Sequence, residues 1–253
     1  MVEKSSPRSG AVVLDVDGVL LNFVSNRRFY AGLVMGTART LKHLSPNRKN
    51  IIENIKAFKK SKAGGLFAYL HNMSRDDETF EKICGKIAGG LNYDKIQPDP
   101  HLKKHLEQLS RNRQVIICTD GISEIAEKAF QRLMGNDYKG RPIIISDIRD
   151  NNFQTKTNLE SWNGFAEKYN IDLSKSVLID DSKANIETAE QAMGNKGFHV
   201  TRKQPLHRIL TDINSADDKE RQEKRIKIEQ RKQEARKAAL YAKKVLKQQK
   251  GRG

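Results

Sequence analysis

Short apolar runs rich in β-branched residues recur along the chain at Ala11–Asp15, Gln114–Thr119, Pro142–Ser146, Ser176–Asp180 and Gly197–Val200. Each is bounded by turn residues or charges, the pattern of a strand buried on both faces. Helical patterns at Ile122–Leu133, Leu159–Tyr169 and Ala184–Met193 separate the last four runs. Strands that alternate with helices predict a parallel sheet covered on both faces, an α/β doubly wound core.

The long interval between the first and second runs carries no comparable strand. Phe23–Leu44, Asn50–Lys60, Asp76–Ala88 and His101–Leu109 read as helices, with Asp76 or Asp77 as a cap and Pro98 and Pro100 breaking the chain before the last of them. A helical module is therefore expected inside the α/β core, directly after its first strand. The expected division is residues 1–20 and 98–213 for the core, 21–97 for the helical insert and 214–253 for a basic tail. From about Asp217 onward the chain is dominated by Lys, Arg, Glu, Gln and Ala, with Glu220–Lys224 and Glu223–Lys227 at favourable i, i+4 spacing. It reads as an exposed charged helix whose apolar residues are too sparse for a coiled-coil seam.

With 253 residues and 37% hydrophobic content, the chain is long enough for a substantial core. Its formal net charge of +16 favours anionic partners: a phosphorylated small molecule, or a polyanion such as nucleic acid or an acidic membrane met through residues 217–253. Cys84 and Cys118 have no metal-type spacing and suit a reducing compartment. No apolar signal region precedes the first strand and no segment approaches bilayer-spanning length, so a cytoplasmic protein is expected.

The chemistry concentrates where the strands end. Asp15 closes the first run and Asp17 follows, with Gly18 permitting a tight turn. Ligands bind beyond the carboxyl ends of strands in an open parallel sheet. Two carboxylates crowded there repel each other unless a cation or a proton intervenes. A second acidic pair, Asp180 and Asp181, closes the fourth run, and the second run ends in Thr119-Asp120-Gly121 leading into a helix. Carboxylates from two strand ends suit a hard divalent cation, Mg²⁺ above all. A threonine hydroxyl with helix-N-terminal amides suits a phosphate beside it.

These residues resemble the motifs of the haloacid dehalogenase superfamily of phosphohydrolases: Asp15-Val16-Asp17-Gly18, the apolar strand ending at Thr119, and Leu178-Ile179-Asp180-Asp181 with Asn185, Ala189 and Gly194. Lys156 stands at the distance of the superfamily's motif lysine, although Thr157 follows where members with a large helical insert often have proline; Lys183 is an alternative cation. The resemblance covers roughly residues 11–200 and implies a Rossmann-like core with a helical cap. It implies that Asp15 is a nucleophile forming an aspartyl-phosphate and that Asp17 is the acid and base. It further implies Mg²⁺ held by Asp15, the backbone carbonyl of Asp17 and Asp181 with Asp180 beside them, and phosphoryl oxygens met by Thr119, Asp120, Gly121 and Lys156. The expected activity is hydrolysis of small phosphomonoesters such as nucleotides or sugar phosphates. The segment from Tyr93 to Gly121 is similar to the pyrimidine 5′-nucleotidase-like branch. A phosphatase of a protein or nucleic-acid end, a phosphomutase, and a non-catalytic scaffold using its basic tail remain alternatives. In the insert, Arg27, Arg28 and residues 59–65 are candidate contacts for an anionic substrate, though solvated charge is the simpler reading. His101 and His105 share a helix face and, with no third ligand in view, read as surface histidines.

Overall fold

The computed structural model describes residues 10–22, 26–44, 65–74, 76–135, 137–194 and 197–250. Five parallel strands, β1 (Ala11–Leu14), β2 (Gln114–Cys118), β3 (Ile144–Ser146), β4 (Val177–Asp180) and β5 (Phe198–His199), form one sheet in the order β3-β2-β1-β4-β5. The described helices are α1 (Arg27–Leu44), α2 (Leu66–Met73), α3 (Asp77–Gly89), α4 (Pro100–Asn112), α5 (Ser123–Met134), α6 (Leu159–Tyr169), α7 (Lys183–Met193) and α8 (Leu206–Lys250). The doubly wound parallel core is as expected. All five strands are shorter than their apolar runs: Asp15, Thr119 and Ser176 fall just outside β1, β2 and β4, Pro142 and Ile143 lie outside β3, and Gly197 and Val200 flank β5.

β1 is wholly buried, which is why its sequence is a continuous apolar run rather than an alternating one. Val13, Ile116, Cys118 and Leu178 pack with Trp162 and Phe165 of α6 and Ile186, Ala189 and Met193 of α7 in one hydrophobic cluster. α4 contacts β2 and α5, and α5 contacts β3. Gly10 must lack a side chain because a Cβ there would lie 2.1 Å from the Lys175 carbonyl oxygen.

The insert departs from expectation in one element and agrees in another. α2, unanticipated, arises from Leu66-Phe67-Ala68-Tyr69-Leu70, a run too short for periodicity to separate helix from strand. α3 begins where its cap signal lay, with the Asp76 side chain accepting from the Thr79 amide at 2.7 Å. The helix expected at Asn50–Lys60 and most of the 59–65 loop lie outside the described residues.

The chain divides into two compact units, the second beginning at Thr211. The terminal helix starts earlier than its composition suggests. α8 begins at Leu206, where Pro205 provides a helix entry, and Ile209 and Leu210 are buried. Residues 218–238 are exposed throughout. Among the described residues no helix is long and apolar enough to cross a membrane.

Candidate active site

Strand register builds the site. Leu14 pairs with Ile117 on one side and Ile179 on the other, so the next residue of each strand falls in one row: Asp15 between Cys118 and Asp180. The Asp15 amide extends the ladder by donating to the Ile179 carbonyl at 3.0 Å, and the Thr119 amide does the same to Ser146 at 3.0 Å.

Lys156 sits in the middle of that row. It is 2% exposed, and its ammonium pairs with Asp15, lies 2.8 Å from Asp180 Oδ2 and donates to the Cys118 carbonyl at 3.2 Å. Lys183 is exposed and paired with Glu187 at 3.2 Å, so the geometry places Lys156, not the alternative, among the strand-end carboxylates. The backbone that delivers Lys156 is tightly held. Asn152 and Phe153 both take positive φ, 51° and 60°, turning the chain back after β3. Such a conformation is costly for a bulky residue, about 1 kcal/mol or more. The aromatic stack of Phe153 on His71 of α2, 3.5 Å between centroids and 7° from parallel, offsets part of it. The Lys156 amide then donates to Asp120 Oδ1 at 3.2 Å, and its carbonyl accepts from Trp162 Nε1 at 3.1 Å.

Asp180 is 1% exposed and fully bonded: both its oxygens accept from Asn185 Nδ2 at 3.1 Å, and Oδ1 accepts from the Ser182 amide at 2.8 Å. Asp181 is open to solvent by comparison. Ligand oxygens of Asp15, Asp180 and Asp181 all lie within 4.8 Å of one another, the only such group of potential metal ligands among the described residues. An all-oxygen set drawn from two strand ends fits a hard divalent cation. The Lys156 ammonium, inserted between two of these carboxylates, offsets part of their negative charge. Asp17 has its carboxylate outside this group. It accepts instead from the Tyr30 hydroxyl of α1 at 2.8 Å.

The electrostatics follow from burial. Burial presses the Asp15 carboxyl well above its ordinary range, against the pull of the Lys156 ammonium. Burial alone would lower Lys156, but Asp15, Asp180 and Asp120 together hold it well above the usual lysine value, so it stays charged. Burial raises Asp17, with the Tyr30 hydrogen bond and Lys156 opposing. Burial also raises Asp181, with Asp180 adding to it. The Cys118 thiol is pushed up to about 12 by burial, which removes it as a thiolate nucleophile.

Thr119 is buried, and its Oγ1 accepts from the Gly121 amide at 2.9 Å, so two of the expected phosphate contacts here bond each other. The Asp120 carboxylate faces the Lys156 backbone. A Cβ on Gly121 would lie 3.1 Å from Thr119 Oγ1 and 3.9 Å from the Phe67 ring, which brings α2 of the insert beside this loop. The insert is tied to the core by Arg149, which reaches Glu81 of α3 at 3.1 Å, Glu124 of α5 at 2.8 Å and Asp147 at 3.1 Å. Arg27 and Arg28 are exposed. His101 and His105 line a cleft of about 740 Å³ together with Arg202 and His207, a third histidine that the linear spacing did not bring into view. The sequence also held no signal for Tyr30, Phe67 or the His71–Phe153 stack, all contacts between distant segments.

A parallel sheet with acidic residues at the ends of two adjacent central strands, a buried lysine among them and a helical insert after the first strand defines a doubly wound α/β protein with an acidic centre that could hold a metal ion. Residues 10–192 match the family model of haloacid dehalogenase-like hydrolases, and the chain belongs to that family. Similar solved structures include a hydrolase from Pseudomonas syringae (18% identity over 82% of this chain and 99% of that one, TM-score 0.47). Another is a haloacid-dehalogenase-family enzyme from Bacteroides thetaiotaomicron in complex with magnesium and inorganic phosphate (15% identity, 76% and 94% covered, TM-score 0.44). A third is a 2-haloacid dehalogenase from Pseudomonas syringae pv. Tomato (20% identity, 73% and 83% covered, TM-score 0.40). No curated protein matches the chain.

Proposed function

We propose that this hydrolase cleaves phosphomonoesters with Mg²⁺ through an aspartyl-phosphate. The observation that carries the reading is the row at the strand ends, where the charged, buried Lys156 sits between Asp15 and Asp180, with Asp181 beside them. Asp15 attacks phosphorus while the bond to the leaving oxygen breaks and Asp17 gives that oxygen its proton. Asp17 then takes a proton from water, which attacks phosphorus and breaks the bond to Asp15, releasing inorganic phosphate. The Thr119 hydroxyl and the Lys156 ammonium stabilise charge on the phosphoryl oxygens. Lys156 also favours the ionised, nucleophilic form of Asp15. Asp15, the Asp17 carbonyl, Asp180 and Asp181 would hold Mg²⁺, which supplies positive charge toward the phosphoryl group and further favours ionised Asp15.

The second aspartate favours a phosphatase over a dehalogenase, because a carbon–halogen bond needs no proton on its leaving group. Small phosphorylated metabolites are the proposed substrates. Nucleotides lead because the return segment of the insert resembles the pyrimidine 5′-nucleotidase-like branch. The two cysteines are free and buried, consistent with a reducing, cytoplasmic setting. A panel of nucleoside monophosphates, sugar phosphates and p-nitrophenyl phosphate, assayed with Mg²⁺ and with chelator, tests the reading. Metal-dependent phosphate release lost in Asp15→Asn is expected. Release of halide from haloacids, with none of phosphate, would overturn it.

α8 favours a separate polyanion contact. Along residues 217–253 basic side chains outnumber acidic ones 14 to 6, and residues 218–238 are exposed. Nucleic acid suits this excess of exposed positive charge better than a membrane surface, since no broad apolar face accompanies it.

A further inference from the structure

We propose that Tyr30 is a positioning residue for Asp17, so that proton delivery to the leaving group depends on a hydroxyl supplied by the first helix of the insert. The inference rests on the phosphatase reading and deepens it.

The geometry is specific. Asp17 lies in a turn closed on itself: the Leu21 amide donates to the Val16 carbonyl at 2.8 Å, and the Gly18 amide donates to the Leu21 carbonyl at 2.9 Å. Gly18 takes φ +80°, the left-handed region that glycine enters without a Cβ penalty. The Tyr30 hydroxyl lies between two acceptors, 2.8 Å from Asp17 Oδ1 and 3.0 Å from the Leu21 carbonyl. It has one proton, so it donates to one at a time while its oxygen remains within reach of the other. The Asp17 side chain is thereby registered against the backbone of its own turn.

Tyr30 is itself anchored. Its amide donates to the Asn26 carbonyl at 3.1 Å, and the buried Asn26 bonds the Asn22 carbonyl through both its amide (3.0 Å) and its Nδ2 (3.1 Å). The neighbouring Phe29 is 2% exposed and packs edge-on to Tyr30 at 5.7 Å and against Tyr93 at 5.6 Å. Aromatic packing within the insert therefore sets where the hydroxyl stands. A carboxyl acting as general acid must point at the leaving oxygen. Small misplacements in such alignments cost up to about 10²-fold in rate. The arrangement ties the Asp17 side chain to the position of α1.

A purely structural role would be a staple for the 16–21 turn, and leaving-group dependence separates the two. Tyr30→Phe keeps the ring and removes the hydroxyl. On alkyl phosphates, whose leaving group needs a proton, kcat should fall on the order of 10-fold or more. On p-nitrophenyl phosphate, whose leaving group departs as a stable anion, the change should stay within about threefold. In an Asp17→Asn background, Tyr30→Phe should add little on either substrate, because the two residues act as a unit. Phe29→Leu, which loosens the anchor without touching the site, should give the same substrate pattern in milder form and serves if Tyr30→Phe does not fold. Equal losses on both substrates, or additivity with Asp17→Asn, would make Tyr30 only a staple and overturn the inference while leaving the phosphatase intact. Absence of phosphomonoester hydrolysis by the unmodified protein would remove the reading and the inference together.

Discussion

Two lysine–carboxylate contacts in this chain have nearly the same length and opposite meaning. Lys156 lies 2.8 Å from Asp180 with both side chains almost wholly buried, and Lys224 lies 2.6 Å from Glu220 with both well exposed. Distance does not separate them; solvent does. At the strand ends Lys156, Asp15 and Asp180 have lost water and depend on one another, so the cluster is poised to accept a cation or an anion that changes the balance. On residues 218–238 of α8 the charges are exposed, keep their hydration and pair weakly, and the basic ones are available to an external polyanion. The chain thus keeps its chemistry in a buried cluster and half of its net charge of +16 in residues 217–253.

The strongest way to break this contrast is at the buried nucleophile. Asp15→Asn should take turnover below detection while far-ultraviolet circular dichroism stays unchanged, because an amide keeps the shape but is a poor nucleophile. Appreciable metal-dependent turnover by the pure variant would move the nucleophile elsewhere.

Next is Lys156→Ala. It leaves Asp15 and Asp180 buried without their counter-charge, and denaturant unfolding should show a loss of about 3–5 kcal/mol. Mg²⁺ should raise the melting temperature more in this variant than in the parent, since the uncompensated carboxylates gain most from a bound cation. Equal Mg²⁺ shifts in the two proteins would place the metal away from this cluster.

Effects on α8 should be smaller and of another kind. Removing residues 217–253 should leave small-substrate turnover within about twofold, because an exposed charged helix buries little apolar surface. The same truncation should abolish most of the salt-sensitive retention on a nucleic-acid column. Loss of turnover in a folded truncation would erase the distinction between the two regions. Lys224→Ala, the exposed counterpart of Lys156→Ala, should shift stability by no more than about 0.5 kcal/mol, and added salt should shrink that further. A larger shift would mean that exposure is not what separates the two contacts.

The acidic strand ends were legible in the sequence because a buried strand followed by carboxylates leaves an abrupt pattern: Ala11–Leu14 before Asp15, and Val177–Ile179 before Asp180 and Asp181. The alternation of such runs with amphipathic helices was enough to specify the parallel sheet. The missed α2 shows the limit of that reading. Leu66–Leu70 is short and continuously apolar, and only its packing gives it a helical identity. The start of α8 was missed for a different reason. Composition changes near Asp217, where continuous exposure begins, whereas the helical backbone begins at Leu206.

The sequence by itself determined the strands, the insertion point and the carboxylates at the strand ends, because backbone periodicity and burial leave local marks in residue type. Tertiary structure alone decided that Lys156 rather than Lys183 stands among those carboxylates. That choice depends on a left-handed turn at Asn152 and Phe153 and on distant partners at His71, Asp120 and Trp162. It also brought Tyr30 to Asp17 and Phe67 beside Gly121. Such contacts join residues far apart in the chain, and their energy exists only once the backbone has closed, so no local pattern of residues records them.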